Sequence, residues 1–126
     1  MADYLPVFRN GADPFTMTAS ANVTGGQVLY VSGVGSVAPT AGANGAAIGI
    51  AQHDAPSGGL VTVWPLSGVI HETTSPAGVT AGAALTSSTS GGVDSGTLAT
   101  IAAAGTYIGT AITTAASGQK AQWIGR

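Results

Sequence analysis

The sequence predicts an all-β fold, a small barrel or sandwich of about eight to ten short strands built from two similar halves, with an extended N-terminal arm. Three observations carry that expectation. Short alternating apolar segments are separated by Gly and Pro turns, 20 Gly and six Pro oppose helix over most of the chain, and residues 24–64 are echoed at 80–124. Thr24-Gly25-Gly26-Gln27-Val28-Leu29 returns as Thr80-Ala81-Gly82-Ala83-Ala84-Leu85, Ile48-Gly49-Ile50-Ala51 as Ile108-Gly109-Thr110-Ala111, and Ala55-Pro56-Ser57-Gly58 as Ala115-Ala116-Ser117-Gly118. The offset is 56 residues at the first echo and 60 at the other two, so the second copy carries four extra residues between them.

Residues 1–14 differ from the rest. Tyr4 and Phe8 stand in a stretch without periodicity, punctuated by Pro6, Asn10-Gly11 and Asp13-Pro14, and Phe15 follows directly. This reads as an arm whose aromatics must be buried somewhere, against a partner or as an ordinary strand of the domain's own sheet. Residues 15–126 then form one β-domain. Phe15-Thr16-Met17-Thr18-Ala19 alternates as a half-buried strand does, and Thr24-Gly25-Gly26 turns the chain into a second strand over 27–31. Val34 and Val37 mark a short strand among glycines. Residues 46–52 form a buried strand in which Gly49 allows close backbone approach. Pro56-Ser57-Gly58-Gly59 turns into a strand over 60–64, and Gly68-Val69-Ile70-His71 crosses between the copies. The second copy predicts strands at 79–86, 97–101, 106–113 and 120–124, with only residues 99–104 able to form a helical turn before Gly105.

Composition excludes several functions. The 126 residues contain five acidic and three basic side chains, 6% charged, with 44% apolar residues and a net charge of −2. Such a chain is too apolar for disorder, its apolar runs are too short for a spanning helix, and three cations cannot neutralise a phosphate track. No nucleic acid and no membrane is expected as partner. A neutral surface rich in Ser, Thr, Ala and Gly repels its own copies weakly and suits association. The lack of cysteine favours a reducing compartment, and the start Met1-Ala2-Asp3-Tyr4-Leu5-Pro6 lacks the basic and apolar regions of a signal peptide, so synthesis in a cytoplasm is expected and Asn22-Val23-Thr24 reads as a chance sequon.

Reactive groups are few. His53-Asp54 and His71-Glu72 could supply metal ligands, but no chelating spacing links them, and strand neighbours point to opposite faces, so they read as surface polar residues. No Ser lies in a Gly-x-Ser-x-Gly elbow, and Gly33-Val34-Gly35 lacks the Lys and helix of a phosphate loop. No enzymatic activity, cofactor or metal is expected. Trp64 and Trp123, offset by 59, end the matching strands and read as a symmetric pair capping the core; with Tyr30 and Tyr107 they would instead form the stacking platform of an adhesive or carbohydrate-binding module.

The order of phrases across nearly the whole chain resembles a known family. An aromatic arm with a Pro is followed by Phe-Thr-x-Thr-Ala-x-Ala-x-Val-Thr-Gly-Gly-x-Val (15–28), Ile-Gly-Ile-Ala (48–51), Pro-Ser-Gly-Gly-x-Val-Thr-Val (56–63) and Ile-Gly-x-Ala (108–111). That sequence of phrases is similar to the small head decoration, or capsid-stabilising, proteins of tailed bacteriophages. The resemblance implies a structural virion protein that forms homotrimers on the capsid exterior at three-fold and quasi-three-fold positions, binds the major capsid protein and clamps neighbouring capsid subunits. It also implies that an arm of Tyr4, Leu5, Pro6, Val7, Phe8 and Arg9 contacts the shell. It carries over no catalytic residue.

Overall fold

The computed structural model describes residues 3–126. Strands β1 (Phe15–Ala19), β2 (Val28–Gly33), β3 (Ser36–Pro39), β4 (Ala47–Ala51) and β5 (Leu60–Pro65) close a barrel in the order β1-β3-β2-β4-β5. Strands β6 (Ile70–Ser75), β7 (Ala84–Ser87), β8 (Val93–Ser95), β9 (Gly109–Ala111) and β10 (Gln119–Gly125) form a second sheet in the order β6-β10-β9-β7-β8. The second order is the first with each strand replaced by its counterpart, cut open between β6 and β8. The segment at 68–71, expected only to cross between copies, is therefore the start of the counterpart of β1, and it runs on to Ser75 because Thr73 and Ser75 alternate inward as Met17 and Ala19 do, with His71 buried as well where the exposed Phe15 stands in the first half.

Matched turns make matched bonds. Gly26 N–H donates to the Ala51 carbonyl at 2.8 Å, and Gly82 N–H to the Ala111 carbonyl at 2.8 Å, with φ of 91° and 89° that favour glycine at both places. Val23 bridges Ala55 as Val79 bridges Ala115. The open seam has a local cause. In the barrel, β1 pairs with β3 in parallel, and Ser20 N–H extends that contact to the Val37 carbonyl at 2.8 Å. The counterpart of Ser20 is Pro76, which has no N–H to donate to Val93.

The four extra residues of the second copy fall between β8 and β9, where α1 (Leu98–Ala103) stands. The strand expected at 97–101 is not formed. Val93–Ser95 takes the pairing with β7, and the alanine-rich run that follows coils instead, burying Ile101 against Gly96.

Two cores result. Ala19, Val23, Leu29, Val37, Ala51, Ala55, Val61 and Val63 fill the barrel. The second cluster joins the inward residues of the second sheet, among them Leu85, Val93, Ala121 and Trp123, to Val28, Ile50 and Trp64 from the outer face of the barrel. The open second half is thus filled in part by the first. This overturns the expected symmetry of the tryptophans. Ala51 opposes Val63 and Ala111 opposes Trp123, while Ile50 opposes Trp64 and Thr110 opposes Ile124. Trp123 is the counterpart of Val63 and points into its own half; Trp64 is the counterpart of Ile124 and points out of its half, because a one-residue shift along a strand reverses the face. Gly49 permits the close approach expected of it: a Cβ there would stand 2.3 Å from the Trp64 carbonyl oxygen.

Candidate capsid-binding surface

The edge of the second sheet left open at β6 is where the arm lies. Val7 N–H donates to the Ile70 carbonyl at 2.8 Å, Ile70 N–H to the Phe8 carbonyl at 2.8 Å, and Phe8 bridges Ile70 in antiparallel fashion. Backbone groups at a sheet edge are otherwise free to pair with another chain, so the arm caps part of that edge. Farther upstream, Tyr4 N–H donates to the Gln52 carbonyl, in the loop after β4. Met1 and Ala2, the first two residues of the expected arm, lie outside the described residues.

The side chains of the arm divide into two sets. Tyr4 and Pro6 are buried against the chain itself, whereas Leu5, Val7 and Phe8 are 68%, 52% and 54% exposed. Arg9 is exposed and holds its guanidinium over the Trp64 ring, 5.5 Å from the centroid. Of the six arm residues singled out from the sequence, two therefore anchor the segment and four face outward.

Tyr4 is anchored through His71. Its hydroxyl lies 2.5 Å from His71 Nδ1, and Glu72 N–H donates to the same oxygen at 3.2 Å. His71 Nε2 lies 2.9 Å from the Pro65 carbonyl, which can only accept. Nε2 therefore carries the proton, Nδ1 accepts, and the Tyr4 hydroxyl donates. The imidazole is enclosed between the Tyr4 and Trp123 rings, with centroids 5.8 and 5.2 Å away. Burial pulls His71 down from 6.5 to about 4, against the Pro65 and Leu66 carbonyls, which favour the charged ring. Burial likewise raises the Tyr4 hydroxyl well above the usual phenol range, so it stays protonated.

His71 is consequently not the surface residue that its sequence position suggested. It is fully buried, and the readable signal was the match of His71, Thr73 and Ser75 to Phe15, Met17 and Ala19 at the offset of 56. His53 lies elsewhere, with Nδ1 on the Asp54 carbonyl and Nε2 accepting from Thr62 N–H. Among the described residues no group of three or more His, Cys, Asp or Glu side chains is placed to hold a metal ion. The tryptophans offer no stacking platform: Trp64 is 2% exposed and Trp123 fully buried. Of their supposed partners, Tyr30 is half-buried, and Tyr107 is covered by the Arg126 guanidinium, 4.5 Å from the ring centroid.

A second surface follows from the strand equivalences. On the barrel, Val28, Ile50 and Trp64 form a row across β2, β4 and β5 that is buried in the shared core. The counterpart row is Ala84, Thr110 and Ile124, and the pairing extends it through Ile70 to Phe8. Here Ala84, Thr110 and Ile70 are half-buried and Ile124 and Phe8 exposed. The face that the first half buries is uncovered in the second.

The phage cement protein family matches residues 9–125 of the chain. The chain belongs to that family. Its fold is also similar to the crystal structure of head fiber gp8.5 N base in bacteriophage phi29, with a TM-score of 0.69, 22% identity, and coverage of 90% of this chain and 93% of that one. No curated protein matches it. As a cement protein it is a structural, capsid-associated component of a phage particle, and the nearly all-β architecture is the one expected from the sequence. In this cement protein the family match begins at Arg9, so the anchoring of Tyr4 and Pro6 precedes the matched region.

Proposed function

We propose that the protein braces a phage capsid from outside by bridging neighbouring major capsid protein subunits, with the arm as its point of contact. The single observation that carries this reading is the division of side chains on the arm. Tyr4 and Pro6 are pinned in the chain's own fold while Leu5, Val7 and Phe8, three large apolar groups within four residues, are turned to solvent. Exposed apolar groups held on an ordered backbone lose little conformational freedom on docking. Arg9 aside, no charged side chain stands among them to be desolvated. Many copies on one shell then add weak contacts into firm attachment.

The same reading takes the protein as a homotrimer. The uncovered row of Ala84, Thr110, Ile124, Ile70 and Phe8 supports it, because the equivalent row of the first half is already buried against a neighbouring β-unit. A ring of copies would supply such a unit to each second half. Synthesis in the host cytoplasm, attachment to the capsid exterior and a purely mechanical, non-enzymatic role complete the proposal.

The test is sedimentation of the full-length protein with expanded, undecorated heads. Replacing Leu5 and Val7 together by Ser should leave the fold and self-association intact and abolish co-sedimentation. Full occupancy by the double variant would remove the arm from the binding surface. Ile124→Glu should reduce the sedimentation coefficient of the free protein, and an unchanged oligomer would refute the row as a subunit contact.

A further inference from the structure

The one buried imidazole of the described residues, His71, closes directly on the arm. Its two nitrogens have opposite roles fixed by their neighbours: Nε2 must donate to the Pro65 carbonyl at 2.9 Å, and Nδ1 must accept from the Tyr4 hydroxyl at 2.5 Å. A second proton on the ring falls on Nδ1, because Nε2 already holds one. Nδ1 then becomes a donor against a hydroxyl whose oxygen already accepts from Glu72 N–H, and the Tyr4 proton loses its acceptor. The surroundings offer little to compensate. From the arm, Tyr4 is the titratable group in contact, and Asp3 lines the adjacent cavity with Glu72 and Lys120. On β6, Glu72 points to the opposite face from His71 and accepts from Gln122 Nε2 at 3.3 Å. From β10 the neighbour is neutral Trp123, and from the end of β5 only backbone carbonyls approach. Arg9, over Trp64, adds positive charge on that side. The cavity, of about 340 Å³, opens beside Tyr4 and gives water access to the hydroxyl once it moves.

We propose that the Tyr4–His71 hydrogen bond is an acid-released latch: with the ring neutral, residues 3–6 are seated on the domain, and with the ring protonated they leave it. The two-residue ladder of Val7 and Phe8 on Ile70 involves no titratable group and sits beyond the latch, so release begins at Tyr4. The latch is a property of the isolated chain, and it stands or falls separately from the reading of the arm as the capsid contact. If that reading holds, decoration becomes weaker in acid.

The experiment is amide hydrogen exchange and imidazole NMR on the full-length protein between pH 8 and pH 3.5. Opening of the seat exposes the ring, so the open fraction should grow about tenfold per pH unit between the ordinary histidine value and the buried one. Protection of the Tyr4 and Glu72 amides should fall accordingly, while the Thr73 amide, which faces Ala121 in the β6–β10 pairing, keeps its protection. His71→Asn, whose side-chain oxygen accepts without titrating, should flatten the profile. Tyr4→Ala, placed on the arm and leaving both cores almost complete, should raise the midpoint of the His71 ring, because coupling between seat and proton is reciprocal. Arm protection that ignores the ring's titration, loss of arm and β6–β10 amides together, or an unmoved His71 midpoint in Tyr4→Ala would each overturn the latch.

Discussion

The backbone of Gly109 lies flat against the indole of Trp123: a Cβ at residue 109 would stand 2.6 Å from Cε3 of the ring and 2.3 Å from the Ile124 carbonyl oxygen. Gly49 stands in the same relation to the Val63 Cγ1, at 2.5 Å, and to the Trp64 carbonyl, at 2.3 Å. The two contacts are the same contact in the two halves, with a tryptophan where the first half has a valine. Overpacking a filled core costs about 1–3 kcal/mol, and backbone atoms cannot step aside. Gly109→Ala and Gly49→Ala should each lower the urea midpoint by that amount of stability without changing the slope. A variant as stable as the parent would mean that the strands are farther apart than described.

The tryptophans should respond differently to the same substitution. Trp123 Nε1 donates to the Thr73 hydroxyl at 3.0 Å, while Trp64 Nε1 is buried with no partner. Trp123→Phe leaves the Thr73 hydroxyl without its donor, whereas Trp64→Phe removes an unpaired one. Unpaired buried polar groups cost about 1–3 kcal/mol each. The loss at residue 123 should exceed that at residue 64 by about 1–2 kcal/mol in denaturant melts. Equal losses would contradict the pairing.

These contrasts also mark how far the sequence could be read. The alternation of Phe15 to Ala19, the Thr-x-Gly turns and the Ile-Gly phrases all report local geometry, and each stands where the pattern put it. The tryptophans do not, because aligning them by type ignores the register: Trp64 and Trp123 lie 59 apart where the local offset is 60, and one residue changes the face. His71 was hidden for a related reason. Polarity reads as exposure unless partners are visible, and its partners, Tyr4 and the Pro65 carbonyl, are brought to it only by the fold. The helix at Leu98–Ala103 falls on the helical turn the sequence allowed at 99–104, and only the strand reading of 97–101 fails, because the strand preference of Thr100 and Ile101 yields once Val93–Ser95 has taken the place beside β7.

Acid should weaken the whole fold, with a sign set by His71. Its folded value, about 4, lies below the ordinary 6.5, so between these limits the unfolded chain binds a proton that the folded chain refuses. Stability therefore falls as pH drops through that window, by about 1.4 kcal/mol per unit and about 3 kcal/mol in total, and this contribution is flat above and below it. Denaturant melts at fixed pH steps measure the slope. His71→Asn should remove most of it, and a full slope in that variant would assign the acid response to other groups.

Ser75 offers a test of the equivalence between halves from the opposite direction. It occupies the position of Ala19: Gly58 N–H donates to the Ala19 carbonyl at 2.7 Å, and Gly118 N–H to the Ser75 carbonyl at 2.8 Å. Both side chains are fully buried, but the Ser75 hydroxyl has no partner. The space at residue 19 is filled by an alanine, and the backbone bonds around residue 75 do not involve its hydroxyl oxygen. Ser75→Ala thus deletes an unsatisfied group and leaves only a small void, so the variant should gain about 1 kcal/mol and melt at higher urea. A loss of comparable size would mean that the hydroxyl is bonded across the seam between β6 and β8, and that the second half is more nearly closed than the first half's pattern, interrupted at Pro76, requires.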